Sequence, residues 1–140
     1  FGRSIGCAVA LSVTHRFNVY SAVLLSPFIS LKKVAKDLYC GCAGAVLKEA
    51  FDNEEYCKDI QCPLLIIHGA KDTLVPFEHS LKLMSQCQSY CRLKIIENMT
   101  HTKFNFRMDF IRHMSGFYLI FSDFDIELQL LSDLFEVNHF

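Results

Sequence analysis

Gly2-Arg3-Ser4-Ile5-Gly6, followed without a break by Cys7-Ala8-Val9-Ala10-Leu11-Ser12-Val13-Thr14, is a glycine-bracketed serine running straight into an apolar, small-residue segment. A segment apolar nearly all round reads as a buried, closely packed helix over Gly6–Thr14. Working outward, Ser21-Ala22-Val23-Leu24-Leu25 is a short apolar run stopped by Ser26-Pro27. Pro63-Leu64-Leu65-Ile66-Ile67-His68, stopped by Gly69, is a second, and Leu93–Ile96, entered through Arg92 and left through Glu97-Asn98, is a third. Short runs without polar alternation read as strands buried on both faces, and therefore as a parallel sheet. Helical spacing fills the gaps: Phe77–Gln88 carries Leu81, Leu83 and Met84, and Lys103–Phe121 carries Phe104, Met108, Ile111 and Tyr118. Strands alternating with helices predict βαβ units in an α/β, right-handed, doubly wound sheet. Phe28–Gln61 has no strong strand, and Gly41 and Gly44 make it irregular, with one or two helices.

The chain of 140 residues is of single-domain length, and its 51% apolar and 21% charged residues exclude a disordered tail. Fourteen basic residues against 15 acidic ones leave a net charge of −1, which gives no reason to expect nucleic acid or an anionic membrane as partner. No apolar run reaches the roughly 18 residues of a transmembrane helix. Residues 1–121 carry the strand-and-helix pattern, while 122–140 read as a helical tail capped by Ser122 or Asp123, with Ile126, Leu130 and Leu134 on one stripe. The chain opens at Phe1 without an initiator Met, so the expectation is the C-terminal part of a longer protein. Seven cysteines form no C-x-x-C pair. They read as reduced, mostly buried thiols of a cytosolic-type environment, Cys40 and Cys42 included.

Three segments carry chemistry. Gly2-Arg3-Ser4-Ile5-Gly6 fits G-x-S-x-G, a sharp strand-to-helix turn in which Gly2 and Gly6 relieve crowding. Such a turn lifts the serine hydroxyl to a helix N-terminus, where free N–H groups and the helix dipole favour a developing oxyanion. Asp72, in His68-Gly69-Ala70-Lys71-Asp72, lies just past a buried strand, where open α/β sheets keep their working loops. His101, after Glu97-Asn98-Met99-Thr100, sits in the next strand-to-helix loop. His68 ends a strand and reads as a satisfied hydrogen-bonding group, and His15, His79, His113 and His139 read as surface. Asn98-Met99-Thr100 is a formal glycosylation acceptor, but a glycan beside His101 would obstruct the site, so it reads as a chance match. The order serine, acid, histidine, each past the carboxyl end of a strand, is that of one hydrolase fold.

On "GRSIG", "LLSPF", "PLLIIHGAKDTLVP" and "MTH", the sequence resembles the C-terminal part of an α/β-hydrolase-fold serine hydrolase over residues 1–121. Its elbow is similar to that of the membrane-associated protein depalmitoylases. The resemblance implies Ser4 as nucleophile, His101 as general base and acid, Asp72 as the group orienting His101, and the Ile5 N–H as one oxyanion donor. It implies neither cofactor nor metal. Hydrolases of this kind often carry a cap domain, but only 36 residues, Pro27–Cys62, separate two strands here. A large lid does not fit, and an open site favours bulky substrates such as an acylated protein over small esters. The expected function is hydrolysis of carboxylic esters or thioesters, including acyl-protein thioesters. The alternatives are a non-catalytic hydrolase-like fragment serving as an interaction module, and a serine peptidase of the same fold. The expected location is cytoplasmic, with membrane association left to a region outside the chain. With the elbow strand cut just before Gly2, Ser4 is expected on a loose terminus, and the strand at Val23 with one unpaired edge.

Overall fold

The structure, a computed structural model, describes residues 1–39 and 51–121. Four strands form one parallel sheet in the spatial order β1 (Gly2–Arg3), β2 (Ala22–Leu25), β3 (Leu64–Gly69) and β4 (Cys91–Ile96). The helices are α1 (Ile5–Arg16), α2 (Leu31–Leu38), α3 (Asn53–Lys58), α4 (Glu78–Gln86) and α5 (112–121), the last entered through a π-helical turn at Phe106–Ile111.

Every residue of β2 and β3 is buried. Successive side chains of a strand point to opposite faces, so a strand covered on both faces must be apolar at every position. Leu24, Leu64 and Ile66 pack with Cys7, Leu11, Cys57, Ile60 and Leu83. That is the face covered by α1, α3 and α4. Val23, Leu25, Leu65 and Ile67 pack with Met99, Phe110 and Phe117 on the other. The strand β4 is only half-buried, which is how it carries Arg92 and Lys94. It begins at Cys91 rather than Leu93 because Cys91 and Arg92 pair with Leu64 and Leu65.

Three readings need correction. Gly2 pairs with Leu24 and Arg3 with Leu25, so a short strand does precede Ser4 and covers part of the β2 edge. Helix α1 is not buried all round: Cys7, Ala8 and Leu11 face inward, while Ile5, Val9 and Val13 are 43–57% exposed. His79 is not a surface residue. It is 2% exposed, its Nδ1 accepts the Ile29 N–H at 3.1 Å, and its Nε2 lies 3.0 Å from Asp37 Oδ2. Burial pushes the His79 pKa down, against the pull of Asp37.

The stretch between β2 and β3 is organised by caps. The Ser30 hydroxyl accepts the Lys33 N–H and Asp52 accepts that of Glu55, starting α2 and α3. Buried Asn53 donates to the Phe28 carbonyl at 2.7 Å and ties α3 to the loop leaving β2. Cys7, Cys57 and Cys62 are buried, Cys87 and Cys91 half-buried, and all five are free thiols. Burial pushes the Cys7 thiol up to about 12. The tail stripe, Cys40, Cys42, Gly41 and Gly44 lie outside the described residues. Among the described residues, none cluster to hold a metal, and no helix is long and apolar enough to cross a membrane.

Candidate active site

Ser4 joins β1 to α1 at φ 50° and ψ −120°. A non-glycine residue held in such a conformation costs on the order of 1–3 kcal/mol and needs a scaffold to hold it. The scaffold is the neighbouring strand: the Ser4 N–H donates to the Leu25 carbonyl at 2.9 Å, and the Ser4 carbonyl accepts the Cys7 N–H at 2.9 Å. Ser4 is thus held in a strained turn, not on the loose terminus expected. A Cβ on Gly2 would lie 2.4 Å from the Gly6 carbonyl oxygen and 2.7 Å from the Cys7 Cα, so only glycine fits there. A Cβ on Gly6 meets nothing within 4 Å among the described residues, so the crowding expected at both glycines is found at Gly2 alone. Ile5 opens α1, and a helix's first N–H groups have no acceptor within the helix. That places its N–H beside the serine.

Asp72 follows β3, with its side chain fully buried. Its Oδ1 accepts the N–H groups of Leu74 at 3.0 Å and Val75 at 2.8 Å. Its Oδ2 faces His101 Nδ1 at 2.7 Å and His68 Nε2 at 3.4 Å. Burial pushes this carboxyl's pKa up, but the hydrogen bonds from His101, His68 and the Val75 N–H outweigh it and leave the group well below the usual carboxylate range. Asp72 is therefore an anion and can only accept, so His101 Nδ1 carries a hydrogen. In the neutral ring Nε2 is then the acceptor, and it lies 2.9 Å from Ser4 Oγ. Ser4, His101 and Asp72 form one continuous hydrogen-bonded chain.

The His101 loop is fixed by residues that sequence reading did not single out. A Cβ on Gly69 would fall 2.2 Å from the Met99 carbonyl oxygen, which also accepts the Lys71 N–H at 3.1 Å. The only signal for this contact was a strand-ending glycine ahead of the acid loop. Lys71 Nζ donates to Asn98 Oδ1 at 2.8 Å. Arg3 donates to the His101 carbonyl at 2.8 Å and lies 5.3 Å over the Phe104 ring. Adjacent residues of the turn thus grip His101 at both ends, Ser4 by the ring and Arg3 by the backbone. Arg3 fills the variable position of G-x-S-x-G, so the motif itself gave no sign of it. A cleft of about 710 Å³ lined by Ile29, Lys33, Asp37, Glu54, Pro76 and His79 includes none of Ser4, Asp72 or His101.

Comparison with known proteins follows the same lines. A family profile described as serine aminopeptidase, S33, matches residues 44–105, a span that holds Asp72 and His101. The uncharacterized protein YfhR of Escherichia coli K12 is 35% identical over 105 residues, 72% of this chain and 37% of that protein. The human alpha/beta hydrolase domain-containing protein 17B is 28% identical over 121 residues, 84% of this chain and 40% of that protein. The acetyl xylan esterase of Paenibacillus sp. R4 superimposes with a TM-score of 0.68 at 13% identity, over 85% of this chain and 44% of that one. The chain thus spans less than half the length of these relatives.

Proposed function

Because this chain is an α/β-hydrolase-fold protein, we propose that it carries the catalytic end of a serine hydrolase that cleaves carboxylic esters or thioesters. The observation supporting this reading is the hydrogen-bonded chain from Ser4 Oγ through His101 to buried, ionised Asp72. In the proposed reaction Ser4 Oγ attacks the acyl carbonyl while His101 Nε2 takes its proton, and Asp72 stabilises the imidazolium. The Ile5 N–H, at the start of α1, receives the developing oxyanion. The alcohol or thiol leaves with the proton from His101, and a water activated by the same ring releases the acid and restores Ser4.

Within this reading the substrate is an acylated protein thioester, a proposal that rests on the elbow resemblance and on the short segment between β2 and β3. A peptidase reading draws support from the family profile's description. A panel of a short-chain nitrophenyl ester, a palmitoyl-thioester peptide and an aminoacyl amide separates the three, and turnover of the amide alone would favour the peptidase. The nucleophile is tested with a fluorophosphonate probe on the intact protein. Ser4→Ala is expected to abolish labelling and Ser26→Ala to leave it, since Ser26 is wholly buried at the end of β2. Equal labelling of the Ser4→Ala protein would remove the assignment. No labelling at all would favour the non-catalytic alternative.

A further inference from the structure

One buried titratable side chain takes no part in the chemistry above. His68 has no exposed surface, and it stands on β3 next to the glycine that receives the Met99 carbonyl. Its Nε2 lies 2.8 Å from the Val75 carbonyl oxygen. A carbonyl can only accept, so Nε2 carries a hydrogen. In the neutral ring Nδ1 then takes the hydrogen of the Ser80 hydroxyl, 2.5 Å away on α4 and likewise wholly buried. Nε2 also lies 3.4 Å from Asp72 Oδ2.

These contacts close a circuit. Asp72 Oδ1 accepts the Val75 N–H, the Val75 carbonyl accepts from His68, and His68 is anchored to β3 by its backbone and to α4 by Ser80. We infer that His68, held by Ser80, is a positioning residue for the proposed triad: it braces the Asp72–Val75 turn against the sheet so that Oδ2 stays aimed at His101. The inference rests on the hydrolase reading for its consequence in turnover, but the geometry it asserts does not depend on turnover. His68 and Ser80 touch no reacting atom.

The test uses the intact protein with His68→Leu, His68→Gln and Ser80→Ala. Two readouts are followed: the rate of fluorophosphonate labelling at Ser4, and the far-downfield NMR resonance of the His101 Nδ1 hydrogen shared with Asp72. Removing the brace is expected to slow labelling about tenfold in His68→Leu, with KM for an ester unchanged, since small misplacements of reacting groups carry penalties of this size or more. The downfield resonance should shift or broaden in the same variant. His68→Gln keeps an N–H for the Val75 carbonyl and should recover labelling to within about threefold of wild type. A folded His68→Leu protein with both the labelling rate and the resonance unchanged would overturn the inference. If His68→Leu fails to fold, Ser80→Ala decides, because it removes only one hydroxyl. An unmoved resonance there would equally overturn the proposal, and a displaced one would support it. If wild-type Ser4 is never labelled, the hydrolase reading falls, while the resonance comparison still decides whether His68 positions Asp72.

Discussion

Replacing one hydrogen of Gly69 by a methyl group would bring carbon to 2.2 Å from the Met99 carbonyl oxygen. Neither partner is free to give way: Gly69 is paired with Ile96 at the end of the β3–β4 ladder, and Met99 is 1% exposed in the core. The displaced atom lies two residues before His101. Gly69→Ala is therefore expected to lower kcat about 100-fold, the scale of a 1 Å misplacement, with steady-state kinetics as the check. Asp72→Asn keeps the shape but lets Nδ1 of His101 lose its anionic partner. A loss of about 10⁴ in kcat is expected, the size seen when a triad acid becomes an amide. The same substitution has a signature in stability. A carboxyl whose folded pKa is depressed contributes stability that is fully present above the unfolded value, about 3.9, and lost as pH falls toward the folded value. Burial opposes the shift, but the His101, His68 and Val75 hydrogen bonds win, so the direction is downward. In urea titrations the gap between wild type and Asp72→Asn should be widest near pH 7 and narrow toward pH 3. A gap constant over that range would contradict the ionised, hydrogen-bonded Asp72.

At the level of elements, the parts that were legible are those whose environment is uniform. Strands β2 and β3 are buried at every residue, so a continuous apolar run was a complete description of each. The loops after β3 and β4 were legible because Gly69 and Asn98 end the apolar runs sharply. Strand β1 was not, because two residues hold no pattern, and only the Leu24 and Leu25 partners make Gly2 and Arg3 a strand. The placement of His79 was not, because its partner Asp37 lies on another helix 42 residues away and nothing local marks the pair. The entry to α5 was read as ordinary helix from Lys103. Instead Asn105 caps a π-helical turn, with its side-chain oxygen accepting the N–H groups of Arg107 and Met108. That cap closes the loop that carries His101, so Asn105→Ala is expected to cost about 1 kcal/mol of stability, the usual worth of an N-cap. Hydrogen exchange should rise across residues 103–112 first. Uniform loss of protection across the sheet would argue against a local role.

Across the whole molecule, the sheet is covered unevenly. Helices lie on both faces, but β1 spans only Leu24 and Leu25, so Ala22 and Val23 have no strand opposite them on that side among the described residues. Beside this gap runs the outer stripe of α1: Ile5, Val9 and Val13, each at least 43% exposed, followed just past the helix end by Phe17 at 64%, with Phe1 at 68% and Tyr20 at 60%. Residues spaced at three to four positions form one continuous face on a helix. Contiguous apolar patches beyond a few hundred Å² are rare on monomeric soluble proteins, and a nearby open strand edge offers a template for pairing. The sequence run Gly6–Thr14 read as buried on all sides because an apolar sequence cannot say which of its faces finds cover. The 140 residues, expressed by themselves, are therefore expected to self-associate and to bind a hydrophobic dye. Val9→Lys with Val13→Lys places charge on the stripe without touching Cys7, Ala8 or Leu11, the buried side of the helix. That double variant should elute closer to a monomer in size-exclusion chromatography with light scattering, and bind less dye. If both proteins are monomeric and dye-free, the stripe is not the source of association. If both associate equally while dye binding falls, the open edge beside Ala22 and Val23 is the stronger of the two, and a charge on Val23 would then be the change that restores the monomer.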